Sequence, residues 1–590
     1  METSKSSLRP SVFGRQQSLL RLLIYFVLFL IIGFILFYIA RTIAYVGYGT
    51  MDDIQIQNLL NGSKGASDGF CNHMNVFLGG AIAFLYRALP SVNWYGIFLL
   101  AMFLVSCSLS AAAIAQRLGG KAGFAAAFTV FPFIYLDSMY GFTYTVISYV
   151  MLACAFVCIA YAFYLHDKPR RLFLWICAAL LCALSVMLRT DVIVSAAGTG
   201  GIYALFLLIR YKKEAVKTAV ITAAILLLSF GLTGISNLMF STDPVWSEYY
   251  RFNETRIDMQ DRFHPEYSQN QSEYEKHGWS ETDYNMFYSA NIPDDPQFSN
   301  ENLERIDASY KDISRFSFNA SDIIASLWLY ASHSLLFLVL LGSVFFLALI
   351  SSKSRLLAVI LFLFPFLTQI ALVIIQRPLT RVVVPHYYIS LLILFCLINT
   401  QVLREKFAGK ARPLAAVALA LSLGVCVYPL YNTYNYCFQL EEQRRDPHVA
   451  GDYNNQLRLF DYFAQHKGNF YIYAMEPAFY SYSQNLSIFD TKPKEYYINS
   501  FSMGGWAARS KEYELFKQQA GVSSLPRDLI DNNRVFFSAM NRLDLYTEYF
   551  YKTYGIPVKY ELVDTVSGYP IYRVKTASSL SETGAVTSGS

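Results

Sequence analysis

The chain has 590 residues, 54% hydrophobic and 16% aromatic but only 15% charged, with a mean hydropathy of +0.31. A soluble chain of ordinary composition carries about a quarter charged residues, so this is not a soluble enzyme. The net charge of +5 lies in short basic clusters between apolar runs, which excludes a nucleic-acid-binding surface.

Many runs are nearly charge-free for about 20 residues, the length that crosses a hydrocarbon core, so the chain reads as a polytopic α-helical membrane protein. Residues 1–18 form a basic tail with Lys5, Arg9 and Arg15. The apolar run that follows is too long for a secretory signal and ends without a small-x-small cleavage site, so it reads as an uncleaved first span. Eleven spans are expected, at 19–40, 93–115, 122–139, 143–165, 172–189, 192–210, 218–240, 323–350, 356–376, 382–403 and 414–432. Alternate connections hold Arg117/Lys121, Lys168/Arg170/Arg171, Arg210/Lys212/Lys213/Lys217, Lys353/Arg355 and Arg404/Lys406/Lys410/Arg412. With the N-terminal tail they fall on one side, which the positive-inside rule makes cytoplasmic. Residues 41–92, the long loop 241–322 and everything after 433 then lie outside the cell membrane.

Within the first outer loop, Asp53 to Leu60 reads as a short helix stopped by Asn61-Gly62. Val76 to Leu89 reads as an apolar helix too short to span and suited to the membrane interface. The loop 241–322 is aromatic and acidic, with seventeen Asp and Glu against seven Lys and Arg. Its length predicts a partly helical, lid-like element, and its charge argues against a main role in holding phosphate. Residues 433–577 read as an extracytoplasmic α/β domain. Its strands are expected at Asn469 to Met475 and Arg534 to Met540, with a helix at Leu545 to Tyr554 and a hairpin around Ser567-Gly568. Gly504-Gly505-Trp506, with no clear strand before it, reads as a turn bearing an exposed aromatic. The tail 578–590 has a disordered composition.

The ionisable residues near outer span ends are the candidate site. They are Asp52 and Asp53 in Gly47-Tyr-Gly-Thr-Met-Asp-Asp53, Asp137, Arg189 and Asp191 in Leu188-Arg-Thr-Asp191, Arg377, Arg381 and His386. A carboxylate beside a hydrocarbon face is desolvated, which raises its pKa and suits Asp52 to act as a general base. The alternative is a helix N-cap, a role that Asp53 fits better than Asp52. Arg189 and Arg381 lie where the charge rule disfavours arginine, and a guanidinium fork suits a phosphate headgroup. Their alternative is a structural one, with Arg189 paired to Asp191 or snorkelling to lipid phosphates. No nucleophile elbow, zinc-protease motif, P-loop or dinucleotide fingerprint is present, so the sequence assigns no cofactor, and a divalent metal is compatible with the carboxylates.

Taken together, Thr50-Met-Asp52-Asp53-Ile-Gln after the first span, Val92-Asn-Trp-Tyr-Gly96 opening the second, Asp137 and Arg381-Val-Val-Val-Pro385 resemble the GT-C superfamily of membrane glycosyltransferases, in a bacterial branch. The resemblance implies a sugar taken from a polyprenyl-phosphate donor and moved to an extracytoplasmic acceptor: a cell-envelope glycan, a lipid or a protein. It places the acceptor-activating base on Asp52, with Asp53 and Asp137 as further acidic residues. It places the donor phosphate on Arg189, Arg381 and His386. A Trp-Trp-Asp type motif is missing, unlike in protein-glycosylating members. The rival readings are a polysaccharide polymerase or ligase with lipid diphosphate donors, and a non-enzymatic flippase or transporter of lipid-linked oligosaccharides. A transporter places its polar residues at mid-span around broken helices, whereas here they gather at span ends.

Overall fold

Long apolar runs with good helix formers give long helices, because the backbone satisfies its own hydrogen bonds where water cannot. The computed structural model describes residues 19–43, 46–120, 123–128, 142–261, 265–310, 319–333, 335–352, 354–407, 450–475, 487–505 and 507–577. Eight helices among them are long and apolar enough to cross a membrane. They are α1 (Leu19–Ile43), α4 (Trp94–Leu118), α5 (Tyr144–Phe163), α6 (Lys168–Leu188), α7 (Val192–Tyr211), α8 (Val216–Thr242), α15 (Arg355–Ile374) and α16 (Thr380–Leu397). This is a multi-pass membrane protein.

The run 323–350 holds α13 (Ala320–His333) and α14 (Leu335–Ser351), with residue 334 between them outside the described residues. Most of the run 122–139 and all of 414–432 lie outside the described residues, as does Asp137.

Contacts sort the helix ends into two groups. At one end Arg117 donates through Nε to the Cys396 carbonyl (3.0 Å) and sits 4.3 Å from the Tyr164 ring. Tyr211 meets Ser354 there, and Ser351 accepts from the Asn399 N–H. At the other end Gly49 N–H donates to the Phe142 carbonyl, Asn75 N–H to that of Met187, and Arg377 pairs with Asp261 at 2.9 Å. The chain has therefore changed ends between Leu118 and Phe142. Cysteines placed at exposed Ser268 and Lys494, in a background without native cysteines, are expected to react with an impermeant thiol reagent in intact cells. A cysteine at exposed Lys213 should react only after lysis. The same labelling at all three positions would break the proposed orientation.

Between α1 and α4 come α2 (Met51–Leu60), ended at Asn61, and α3 (Val76–Ala88), capped by the Asn75 side chain. Both match the expected short helices. The opening of α4 is a hub rather than a plain cap. Asn93 accepts from Tyr86 Oη and Gly96 N–H, and its amide lies 2.8–3.0 Å from Tyr48 Oη, Gln57 Oε1 and the carbonyls of Ile488 and Asp490. A Cβ on Gly96 would stand 1.9 Å from the Ile488 carbonyl, so only glycine allows this approach. The Val92-Asn-Trp-Tyr-Gly96 motif thus fastens the C-terminal region to the first loop. Lys511 reinforces the seam on Asp68 at 2.5 Å.

Among its described residues the long loop holds four α-helices, α9 (Pro244–Gln260), α10 (Tyr267–Lys276), α11 (Glu281–Tyr288) and α12 (Asn300–Tyr310). They share one apolar core with the C-terminal sheet, including Trp279, Phe287 and Phe298 from the loop and Phe537 and Tyr549 from beyond it. Asp295 accepts from Tyr549 and Tyr554, both at 2.5 Å. The loop is helical over much of its described length, and Trp279, Phe287 and Phe298 are buried against the C-terminal region, which stabilises the packing there.

The C-terminal region holds α17 (Thr400–Lys406) at the first end, then α18 (Ala450–Gln465), α19 (Lys511–Ala520) and α20 (Leu543–Tyr554) around a five-stranded sheet. Its strands are β1 (Phe470–Tyr473), β2 (Ser500–Ser502), β3 (Val535–Ser538), β4 (Val558–Val566) and β5 (Tyr569–Thr576). The order is β2-β1-β3-β5-β4, with β1 parallel to β2 and β3, and β5 antiparallel to β3 and β4. Ser567 and Gly568 both have positive φ, as a two-residue hairpin turn requires. A strand does precede Gly504-Gly505, contrary to expectation. Gly504 packs on the Ala290 carbonyl, where a Cβ would stand at 2.2 Å. Trp506 lies outside the described residues.

Candidate active site

The two carboxylates of the first loop have different surroundings. Helix α2 begins at Met51, with Thr50 as N-cap and no side-chain cap bond, so neither aspartate caps its own helix. Asp53 is wholly buried and reaches across to α5, accepting the Tyr144 N–H (2.8 Å) and the Tyr95 hydroxyl (2.8 Å) on one oxygen. Its other oxygen accepts from Thr50 Oγ1 at 2.6 Å. The carboxylate therefore serves the orphan N–H at the start of another helix. Burial pushes its pKa up to about 7, against the lowering effect of its three hydrogen-bond donors.

Asp52, one residue earlier, keeps its side chain partly open at 22%. Its ion-pair partner is Arg381 at 3.4 Å, longer than the 2.7–2.9 Å of a tight charge-assisted bond. Arg381 stands in the first turn of α16, and its Nε has no acceptor among the described residues. The Arg-x-x-x-Pro spacing has a backbone meaning here. Pro385 has no N–H to offer the carbonyl four residues earlier, which is that of Arg381, so the helix is loosened where the guanidinium emerges.

Arg189 terminates α6, nine-tenths buried. It donates to Thr145 Oγ1, lies 5.2 Å from the Tyr144 ring, and meets Asp191 at 3.4 Å. The structural alternative is thus present, yet the Asp191 side chain is 64% exposed, and such pairs contribute about 0–1 kcal/mol. His386 sits deeper in α16, with Nδ1 on the Val382 carbonyl (2.7 Å) and Nε2 on Ser195 Oγ (3.1 Å). Both ring nitrogens are engaged, and no contact joins His386 to Asp52.

Two further residues belong to the group. His73, on the loop before α3, stacks on Tyr144 with ring centroids 6.0 Å apart and has φ of +67°, a strained backbone for a residue with a Cβ. Burial first, then the Arg189 guanidinium, push its imidazole well below the usual range. It also lies in the fields of Asp52, Asp191 and Arg256. Arg256, on α9, is buried against Asn253 Oδ1 (2.9 and 3.1 Å) and Gln260 Oε1 (2.9 Å), and it too lies in the field of Asp52. The Asn253-Glu-Thr-Arg256 stretch therefore brings a buried cation from the acidic loop towards Asp52. Among the described residues, no three His, Cys, Asp or Glu side chains converge as a metal site.

The arrangement offers a partly open carboxylate, Asp52, paired with Arg381, a second and more exposed carboxylate, Asp191, on Arg189, and a buried backing of Tyr144, Tyr95 and Asp53. No family model matches the chain, and no match was found among curated proteins. A solved structure is similar over most of the chain: the crystal structure of ArnT from Cupriavidus metallidurans in the apo state. The likeness covers 92% of this chain and 97% of that one, at 11% identity and a TM-score of 0.38, a score at which nothing is carried over.

Proposed function

We propose that this chain is a membrane glycosyltransferase that moves a sugar from a polyprenyl-phosphate donor to an extracytoplasmic acceptor such as a cell-envelope glycan or lipid. The observation that supports it most is the meeting of Asp52 and Arg381, far apart in sequence, beside the buried Arg189, Arg256 and His73. In this reading the acceptor hydroxyl gives its proton to Asp52 as its oxygen attacks the anomeric carbon. The bond from that carbon to the phosphate oxygen breaks, and the phosphate leaves with the electron pair. Arg381 and Arg189 stabilise the charge that develops there. A single displacement inverts the sugar carbon. Asp53 is a positioning residue that fixes α2 against α5 so that Asp52 faces the arginines.

Donor affinity tests the cationic part. Arg189→Ala and Arg381→Ala are expected to weaken polyprenyl-phosphate binding about 10- to 100-fold, the worth of a hydrogen bond to a charged group. Arg→Lys at either site keeps the charge without the fork and should lose less. Donor binding by purified variants measures this, and unchanged affinity in both alanine variants would make the arginines structural.

A further inference from the structure

At the end of the bundle opposite the proposed catalytic site, α6 and α8 both begin, and Trp175 of α6 lies between two cations. The Arg171 guanidinium is 5.2 Å from its ring centroid and the Lys217 ammonium of α8 is 5.1 Å from it. Arg171 is one helical turn before Trp175 on the same face, while Lys217 comes from the neighbouring helix. Among the described residues neither cation pairs with a carboxylate. Asp167, beside them in the chain, is taken by Arg170 at 2.7 Å. Two cations gathered on one ring repel each other, and an anion between them would turn that cost into attraction.

Two other features point the same way. Trp175 is half-buried, so its ring has a fixed place from which it gathers the two cations. Helix α8 starts at Ala215 without a side-chain cap, so its first-turn N–H groups and positive dipole end also look for an anion. The flank of the cluster decides the kind of anion. Leu172 (57%), Ile176 (50%), Val216 (47%) and Val220 (61%) are exposed on the same two helix starts, an apolar wall that a free phosphate would leave unused.

We propose that Arg171, Trp175 and Lys217 form a site for the headgroup of an anionic phospholipid, whose acyl chains lie along Leu172, Ile176, Val216 and Val220. The two cations, gathered by the Trp175 ring, hold the phosphate, and the apolar wall replaces neighbouring lipid. The site does not depend on the sugar-transfer reading. Basic residues at a membrane surface contribute about 1 kcal/mol each towards anionic lipid, so two give a preference of about tenfold or more.

The test is lipid retention by the purified full-length chain in neutral detergent, with phosphatidylglycerol and phosphatidylcholine of the same acyl chains supplied together and bound lipid counted by native mass spectrometry. The unaltered protein is expected to keep phosphatidylglycerol at least about tenfold over phosphatidylcholine. Arg171→Gln with Lys217→Gln should bring that ratio close to one, and Trp175→Phe should lower it in part while preserving the packing. If the double variant does not fold, exposed Lys217→Gln alone carries the test, with an expected loss of about fivefold. Arg404→Gln, an exposed basic residue at the same end, is expected to change nothing. An undiminished ratio in the folded variants would overturn the proposal. So would an equal loss with Arg404→Gln, which would mean diffuse surface charge. Full displacement of the lipid by millimolar inorganic phosphate would reduce the site to an anion site without lipid character.

Discussion

Asp52→Asn is expected to lower sugar transfer by about 10²- to 10⁴-fold, the usual cost of losing a general base, while leaving thermal unfolding where it was. Asparagine keeps the shape of the side chain at a position that is partly open and makes one long ion pair, so little folding energy is at stake. What it loses is the ability to take a proton. Asp191→Asn is the matched control: it also removes a partner of an arginine at 3.4 Å, but from a carboxylate that is 64% exposed. It should keep activity within a few-fold. Turnover by purified enzyme with a polyprenyl-phosphate sugar, alongside a melting curve, separates the two variants. Wild-type turnover in the Asp52 variant would remove it as the base. Equal losses in both would mean that the ion pairs matter rather than the proton.

Asp52 and Arg381 could be found in the sequence because charge is rare near lipid, so each ionisable residue at an outer span end stands out against its background. The hairpin at Ser567-Gly568 could be found because only a few residues accept two positive φ angles in succession. What was hidden depends on partners distant in the chain. Asp53 reads as a cap of its own helix, and nothing local reveals that it caps α5 instead. Asn93 shows in the sequence only as part of the motif opening the second span, whereas its amide also holds the Ile488 and Asp490 carbonyls. His73 gives no periodic signal because it lies on a loop, and Arg256 is masked by the acidity of the loop that carries it. Strand β2 is three residues long, Ser500–Ser502, too short to show alternation.

The largest expected loss of stability is at Asp53. Alanine there leaves the Tyr144 N–H and the Tyr95 hydroxyl buried without an acceptor, at about 1–3 kcal/mol each, and opens a gap between α2 and α5. Asparagine is expected to be far milder. Both donors bond the same oxygen, which asparagine retains, and its amide can face Thr50 Oγ1, whose hydroxyl is free to rotate and accept. The two residues should separate with pH. An aspartate carboxyl ordinarily titrates near 3.8, and burial raises that of Asp53 to about 7 in the folded chain. Between those values the folded protein holds a proton that the unfolded chain has lost. Its contribution is therefore fully present below about pH 4, falls as pH rises towards 7, and is gone above that. A shift of that size is on the order of 4 kcal/mol. Wild-type protein should lose melting temperature across this window relative to Asp53→Asn, which has no proton to release, and the two curves should run parallel above about pH 7.5. Melting of both proteins in one detergent from pH 4.5 to 8 measures it, and parallel curves throughout would show that the Asp53 carboxyl titrates as an ordinary one.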